Sequence, residues 1–268
     1  MLPTIFSIGS IPIASYGLCL ALGFIGATFI IWKYCRDAGI TEEYIFDNVL
    51  VVTIMAFIGA RLFFMLTHWP LFTSNLLRGL VLWRFPGFSF WGGLLFGLSS
   101  LYFYTRYQKL SLPILADSYG KSYPVALFFG SLAVFLDGTV SGKPTNWFIG
   151  MQTIGSVAKV HPVGLYGVAL AVAGAVCIII VVRKFSRGDI PKGVFAWGML
   201  SFIGLTQLLL AFARRDLLYW QGFCLDYIIA TILFIMPLVP LFRLLNGREW
   251  LTSTQTKVVN LLSKKNHA

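Results

Sequence analysis

The chain is 268 residues long, 57% apolar and only 12% charged, with a formal net charge of +11. A soluble domain of this length needs far more charge to cover its surface, so the composition excludes a soluble enzyme or binding module. The excess of Lys and Arg does not select a nucleic-acid partner either, because these residues lie between apolar runs, where they report membrane topology.

Seven apolar runs are long enough to cross a bilayer as helices. In chain order they are 11–32, 44–66, 88–104, 114–136, 163–182, 194–212 and 223–241. The predicted fold class is therefore an all-α integral membrane protein, seven transmembrane helices in one domain over 1–242. The opening MLPTIFSIGSIPIASYG has neither a basic n-region nor a small-residue cleavage site, so it is not expected to be a removed signal peptide. With the N-terminus outside, 13 of the 21 basic residues fall on the inner side, six on the outer, and Arg61 and Lys121 within spans. That asymmetry predicts an N-out, C-in orientation. The outer connections would be 68–87 and 138–162, at headgroup level, and the basic tail 243–268 would lie inside. Its segment TKVVNLLSKK suits a short interfacial helix.

The stretch the chain is organised around is LFFGSLAVFLDGTVSGKPTNWFIGM, 127–151. An apolar helix reaches Asp137 and then breaks into glycine- and proline-rich backbone. At membrane depth such backbone is tolerated only where protein or a water-filled cavity surrounds it. The expectation is a lipid-sized hollow among the helices, roofed by the loop that follows Asp137. Cys19, Cys35, Cys177 and Cys224 are scattered without metal-ligand or disulfide spacing, so no metal or other cofactor is expected.

Ionisable residues within spans cost a few kcal/mol on insertion scales unless paired or hydrated. They are Asp47, Arg61, Asp117, Lys121, Asp137 and Asp226. Asp117 and Lys121 are four apart on one helix face and can neutralise each other. Arg61 has three readings: snorkelling outward, pairing with an aspartate, or holding a lipid phosphate with its planar fork. Asp137 either caps the break or faces a site. His161, in HPVGLYG, offers an imidazole whose titration range suits proton transfer, against the plainer reading of a bond to the loop backbone. Tyr16 and Tyr166 sit at outer span ends as aromatic-belt residues or headgroup contacts. The glycines at 92, 93, 97, 138, 142, 164 and 167 either let helices approach closely or make room for lipid.

Six motifs taken in order resemble the bacterial prolipoprotein diacylglyceryl transferases: SYGLCLALGFIGA, FIGARLFFML, FSFWGGLLFG, GSLAVFLDGTVSGKPTNWFIGM, HPVGLYG and FIGLTQLLLAFAR. The resemblance covers about 11–241. It implies a seven-helix bacterial inner-membrane protein with a small periplasmic head and a central cavity open to the bilayer. The implied reaction moves diacylglyceryl from phosphatidylglycerol to the lipobox cysteine of a prolipoprotein, forming a thioether and releasing glycerol phosphate. Tyr16, Arg61, Gly92, Gly93, Gly130, Gly138, Gly142, His161, Tyr166 and Arg214 match the family pattern. Elsewhere the chain departs from it. Trp91 replaces a His, Ser131 an Arg, Val134 and Asp137 two Asn, and Thr139 and Gly167 a Glu each. Gln207 and Ala211 stand for an Arg and a Glu.

The candidate catalytic residues are His161 and Arg61, which match the family pattern, and Asp137, which stands where the pattern has Asn. The phospholipid would be held by Tyr16, Arg61, Gly92, Gly93, Ser131, Gly138, Gly142, Lys143, Tyr166, Gln207 and Arg214. Losing one donor to developing charge costs about 3 to 4 kcal/mol of barrier. Two main readings therefore stay open: an active diacylglyceryl transferase, or a relative divergent in lipid or acceptor, using Arg61 and His161 with Lys143, Arg214 and Arg215 supplying charge; or a catalytically degenerate relative that binds phospholipid or lipoprotein and assists a partner. A small transporter is a third.

Overall fold

The computed structural model describes residues 4–8, 11–73, 79, 81, 87–138, 142–152, 158–184, 190–220 and 222–245. Thr139 and the TKVVNLLSKK segment lie outside them. A helix stands at each of the seven predicted runs: α1 (Ser15–Asp37), α2 (Glu42–Thr67), α3 (Phe90–Tyr107), α4 (Leu112–Asp137), α5 (Val163–Lys184), α6 (Val194–Ala213) and α7 (Leu225–Ile235). After a turn at Met236 and Pro237, helix resumes over 238–245. Among the described residues five stretches are long and apolar enough to cross a membrane: α1, α2, α5, α6 and Leu225–Leu245. The chain is a multi-pass α-helical membrane protein.

Strands were not expected, and among the described residues three short hairpins occur. β1 (Thr4–Ile8) pairs with β2 (Ile11–Ala14), so the first helix begins at Ser15 rather than at residue 11. Ile11 precedes Pro12 and is biased to extended backbone, and β-branched Ile13 suits a strand. β3 (Met151–Gln152) pairs with β4 (Lys159–Val160). β5 (Tyr219–Trp220) pairs with β6 (Phe223–Cys224), so the last helix begins two residues late, at Leu225. Gly222, at φ +86, makes that turn, a conformation open to a residue without Cβ.

The chain forms two compact units, Ile31–Ser118 and Met1–Ile30 with Tyr119–Ala268. Lipid supplies no hydrophobic drive between helices, so close packing by small residues has to hold them. In the first unit a Cβ on Gly92 would lie 2.5 Å from the Gly59 carbonyl oxygen, and one on Gly93 would lie 3.4 Å from that of Ala56, so α2 and α3 meet nearly backbone to backbone. In the second, α6 meets α7 at Gly204, where a Cβ would collide with the Phe234 nitrogen and stand 2.6 Å from the Leu233 carbonyl carbon. Backbone cannot swing aside. Gly204→Leu is expected to cost about 1–3 kcal/mol by overpacking, read as a lower Tm in detergent. Gly130→Ala, with nothing within 4 Å of the added carbon, should not lower Tm.

Candidate functional site

The break after α4 is built as its residues require. Gly138 takes φ +73 and its N–H bonds to the Val134 carbonyl at 3.0 Å, the left-handed stop that glycine favours. From Gly142 the chain runs as a short strand between two neighbours. On one side Gly142 bridges Arg214, and the Lys143 N–H donates to the Ala213 carbonyl at 2.8 Å. On the other, the His161 N–H donates to the Lys143 carbonyl at 3.1 Å, Pro144 bridges Val160, and the Thr145 N–H donates to the Lys159 carbonyl at 2.9 Å. β3 closes the far side of β4. Segment 142–145 thus ties together the end of α6, the end of α4 and the entry to α5. Its register sets Lys143 opposite His161, with Gly142 opposite Arg214. Gly142 lies on the His161 backbone, whose nitrogen and carbonyl carbon would each be 2.9 Å from an added Cβ.

Side chains gather on this frame. His161 Nδ1 lies 2.9 Å from the Tyr166 hydroxyl, and the Trp147 ring stands edge-on with centroids 6.4 Å apart. Tyr166, in the first turn of α5, packs against buried Val163, Leu210 and Ala213, which fixes the hydroxyl. Arg214 Nη1 donates to Gln207 Oε1 at 3.3 Å. Burial pushes the Arg214 pKa down from its usual value, while Asp226 and Asp216 act against that. Desolvation disfavours the charged form and nearby carboxylates favour it; an arginine starts so far above neutrality that it remains a cation. Asp226 Oδ2 also accepts the Leu218 N–H at 2.7 Å, holding the turn that follows Arg214.

The remaining predicted residues are placed as follows. Ser131 on α4 faces Gly167 on α5, where a Cβ would strike the Ser131 hydroxyl, and Gly164 sits beside it with its Cβ position 2.7 Å from the Ser131 carbonyl oxygen. Ser131 and Gly167 are therefore in direct contact, both small. Asp137 is the last residue of α4. A carboxylate there opposes the helix dipole, so Asp137 is not present to stabilise that end. Tyr16, in the first turn of α1, is 39% exposed. Among the described residues no hydrogen bond joins it to His161, Tyr166 or Arg214.

Arg61, Gly92 and Gly93 belong to the other unit. Arg61 is buried on α2, and among the described residues no ion pair joins it to an aspartate. Its Nε donates to the Gly79 carbonyl at 2.7 Å and its Nη1 to the Gly87 carbonyl at 2.8 Å. The rings of Phe64, Phe72 and Phe88 surround the guanidinium at 5.5, 5.8 and 5.9 Å. It anchors the connection between α2 and α3. Arg61→Lys keeps the charge but loses the fork, and is expected to cost about 1.5–3 kcal/mol, seen as a lower Tm in detergent. Gly92 and Gly93 lie against α2, and Trp91 beside them is buried. Sequence reading did not single out Trp147, or Asp216 and Asp226 as counter-charges to Arg214. Only the first turn of α7, with its acidic residue, carried any signal.

Fold and site together define a class: a multi-pass helical membrane protein whose polar groups gather where α4, α5 and α6 meet a small sheet. The family described as prolipoprotein diacylglyceryl transferase matches residues 3–243, and the chain belongs to that family. It is 31% identical over 218 residues to the phosphatidylglycerol--prolipoprotein diacylglyceryl transferase of Geobacter sulfurreducens, covering 80% of this chain and 82% of that one. The protein of the same name from Marinomonas sp. is 29% identical over 80% of each chain. That of Streptococcus pyogenes serotype M1 is 26% identical over 88% of this chain and 93% of its own.

Proposed function

We propose that this protein transfers diacylglyceryl from phosphatidylglycerol to the cysteine thiol of a prolipoprotein, at the outer face of a bacterial inner membrane. The observation that supports the proposal is the backbone pairing of segment 142–145, in which Lys143 bonds to Ala213 and His161 and Gly142 bridges Arg214, so that the three basic residues stand on neighbouring stretches of chain at the ends of three helices. In the tautomer where Nδ1–H donates to the Tyr166 oxygen, His161 Nε2 keeps a lone pair for the thiol proton. The sulfur then attacks the glyceryl carbon next to the phosphate. A C–S bond forms, the C–O bond breaks, and its electron pair leaves with glycerol phosphate. Arg214, oriented by Gln207, and Lys143 balance the growing negative charge. Asp137, Gly138 and Gly142 shape the roof, and Ser131 and Tyr16 supply neutral donors to the headgroup.

The topology that goes with this has seven spans, counting α3 and α4, with the N-terminus outside and the tail 243–268 inside. Loops 68–87 and 138–162 then lie on the periplasmic side, and Arg61, Gly92 and Gly93 brace the first of them. The basic-residue asymmetry supports that orientation.

The contact between Ser131 and Gly167 favours a second reading, in which the protein holds phospholipid or lipoprotein without transferring. Expression in a strain depleted of its own transferase separates the two. Rescue of growth with lipid-modified prolipoprotein is the expected result. Correctly inserted protein that neither rescues nor modifies the acceptor would leave only the holding role.

A further inference from the structure

At the ends of α4, α5 and α6 opposite to the small sheet lies a second feature, a cavity of about 320 Å³. Gly120 of α4, Cys177 and Val181 of α5, Phe195 and Gly198 of α6, and Leu245 line it. A Cβ on Gly198 would meet nothing within 4 Å, so that wall is open because a side chain is missing. The volume falls in the range of small-ligand sites, and the lining is almost wholly apolar.

Cations stand around it. Arg183 and Lys184 end α5, two and three residues beyond Val181, and Lys192 lies two residues before lining Val194. Arg243 falls between lining Leu241 and Leu245. All four are exposed. Lys121, next to Gly120, holds its ammonium 4.3 Å from the Phe195 ring centroid.

We infer that this cavity takes one acyl chain of an anionic phospholipid from the leaflet at that end, with the headgroup against the basic cluster. An apolar hollow does not retain water, and in a bilayer the material at hand is acyl chain. Cations at a membrane surface select lipids of negative charge. This site is separate from the small sheet and does not rest on the transfer reaction.

The test uses the full chain reconstituted in dioleoyl phosphatidylcholine with a minority of dioleoyl phosphatidylserine, a lipid whose headgroup is not the proposed donor's. Native mass spectrometry after extraction is expected to find one retained phosphatidylserine, preferred at least tenfold over phosphatidylcholine. Gly198→Leu should cut that retention at least tenfold. Lys184→Gln with Arg243→Gln should remove the preference while phosphatidylcholine is still retained. A photoreactive acyl probe should label the α5 segment around Cys177 and Val181 in the wild-type protein, a readout that stands even if Gly198→Leu fails to fold. Retention without preference, retention unchanged in a folded Gly198→Leu, or labelling no greater there than on other lipid-facing helices would each overturn the inference. Loss of diacylglyceryl transfer, or its absence, would leave these readouts unmoved.

Discussion

Gly142→Ala is expected to reduce diacylglyceryl transfer at least 100-fold and to lower stability. The added carbon would fall on the His161 carbonyl oxygen, with the His161 nitrogen and carbonyl carbon at 2.9 Å. All are backbone atoms, so the strand must withdraw from one of its neighbours. Withdrawal endangers the bond from Lys143 to Ala213 at 2.8 Å or the one from His161 to Lys143 at 3.1 Å. Overpacking costs about 1–3 kcal/mol and each lost hydrogen bond about 0.5–1.5 kcal/mol. The larger consequence is positional: a displacement of about 1 Å in reacting groups can cost 100-fold in rate. Tm in detergent and transfer to a lipobox peptide, measured on the same preparation, check both halves. Unchanged transfer would mean that the strand does not position the reacting groups.

His161→Ala carries the second large effect. A positioned general base contributes about 100- to 10,000-fold, and among the described residues no other imidazole bonds to Tyr166. The rate should fall by that much while the fold persists, because what is lost is a half-buried ring whose Nδ1 bonds to Tyr166. Tyr166→Phe is expected to be milder, since it removes the partner of Nδ1 and leaves the imidazole. It should lower the transfer rate with phosphatidylglycerol binding little changed. If Tyr166→Phe matched His161→Ala in severity, the tyrosine would itself touch the reacting atoms.

The transmembrane helices were legible because a bilayer demands long apolar runs and the chain has them. The predicted run 163–182 became Val163–Lys184 and 194–212 became Val194–Ala213, each ending in a residue or two that hydropathy windows trim. The hairpin over Thr4–Ala14 was not legible. Ile-Pro-Ile-Ala is as hydrophobic as a helix, and the extended bias of a residue before proline is a weak local signal until pairing with β1 adds to it.

The site was legible residue by residue but not as an assembly. His161 and Arg214 each stood out, and Asp137 correctly marked where α4 ends. What joins them is backbone hydrogen bonding between 142–145, 159–161 and 213–214, for which side-chain chemistry has no signature. The backbone contacts of Arg61 were hidden for a related reason. Its partners are the carbonyls of Gly79 and Gly87, invisible to a search for aspartates or phosphates. Ser131 and Gly167 looked like two separate losses of charge; in the fold they are one contact between α4 and α5.

The most direct measurement is transfer by purified protein in phosphatidylglycerol vesicles to a lipobox peptide, with the thioether product detected by mass spectrometry. Wild-type protein should yield the diacylglyceryl peptide and free glycerol phosphate in equal amounts, and Arg214→Ala and His161→Ala should each suppress both products together. Product formation undiminished in both variants would contradict the account, as would folded wild-type protein that binds the lipid yet yields no thioether.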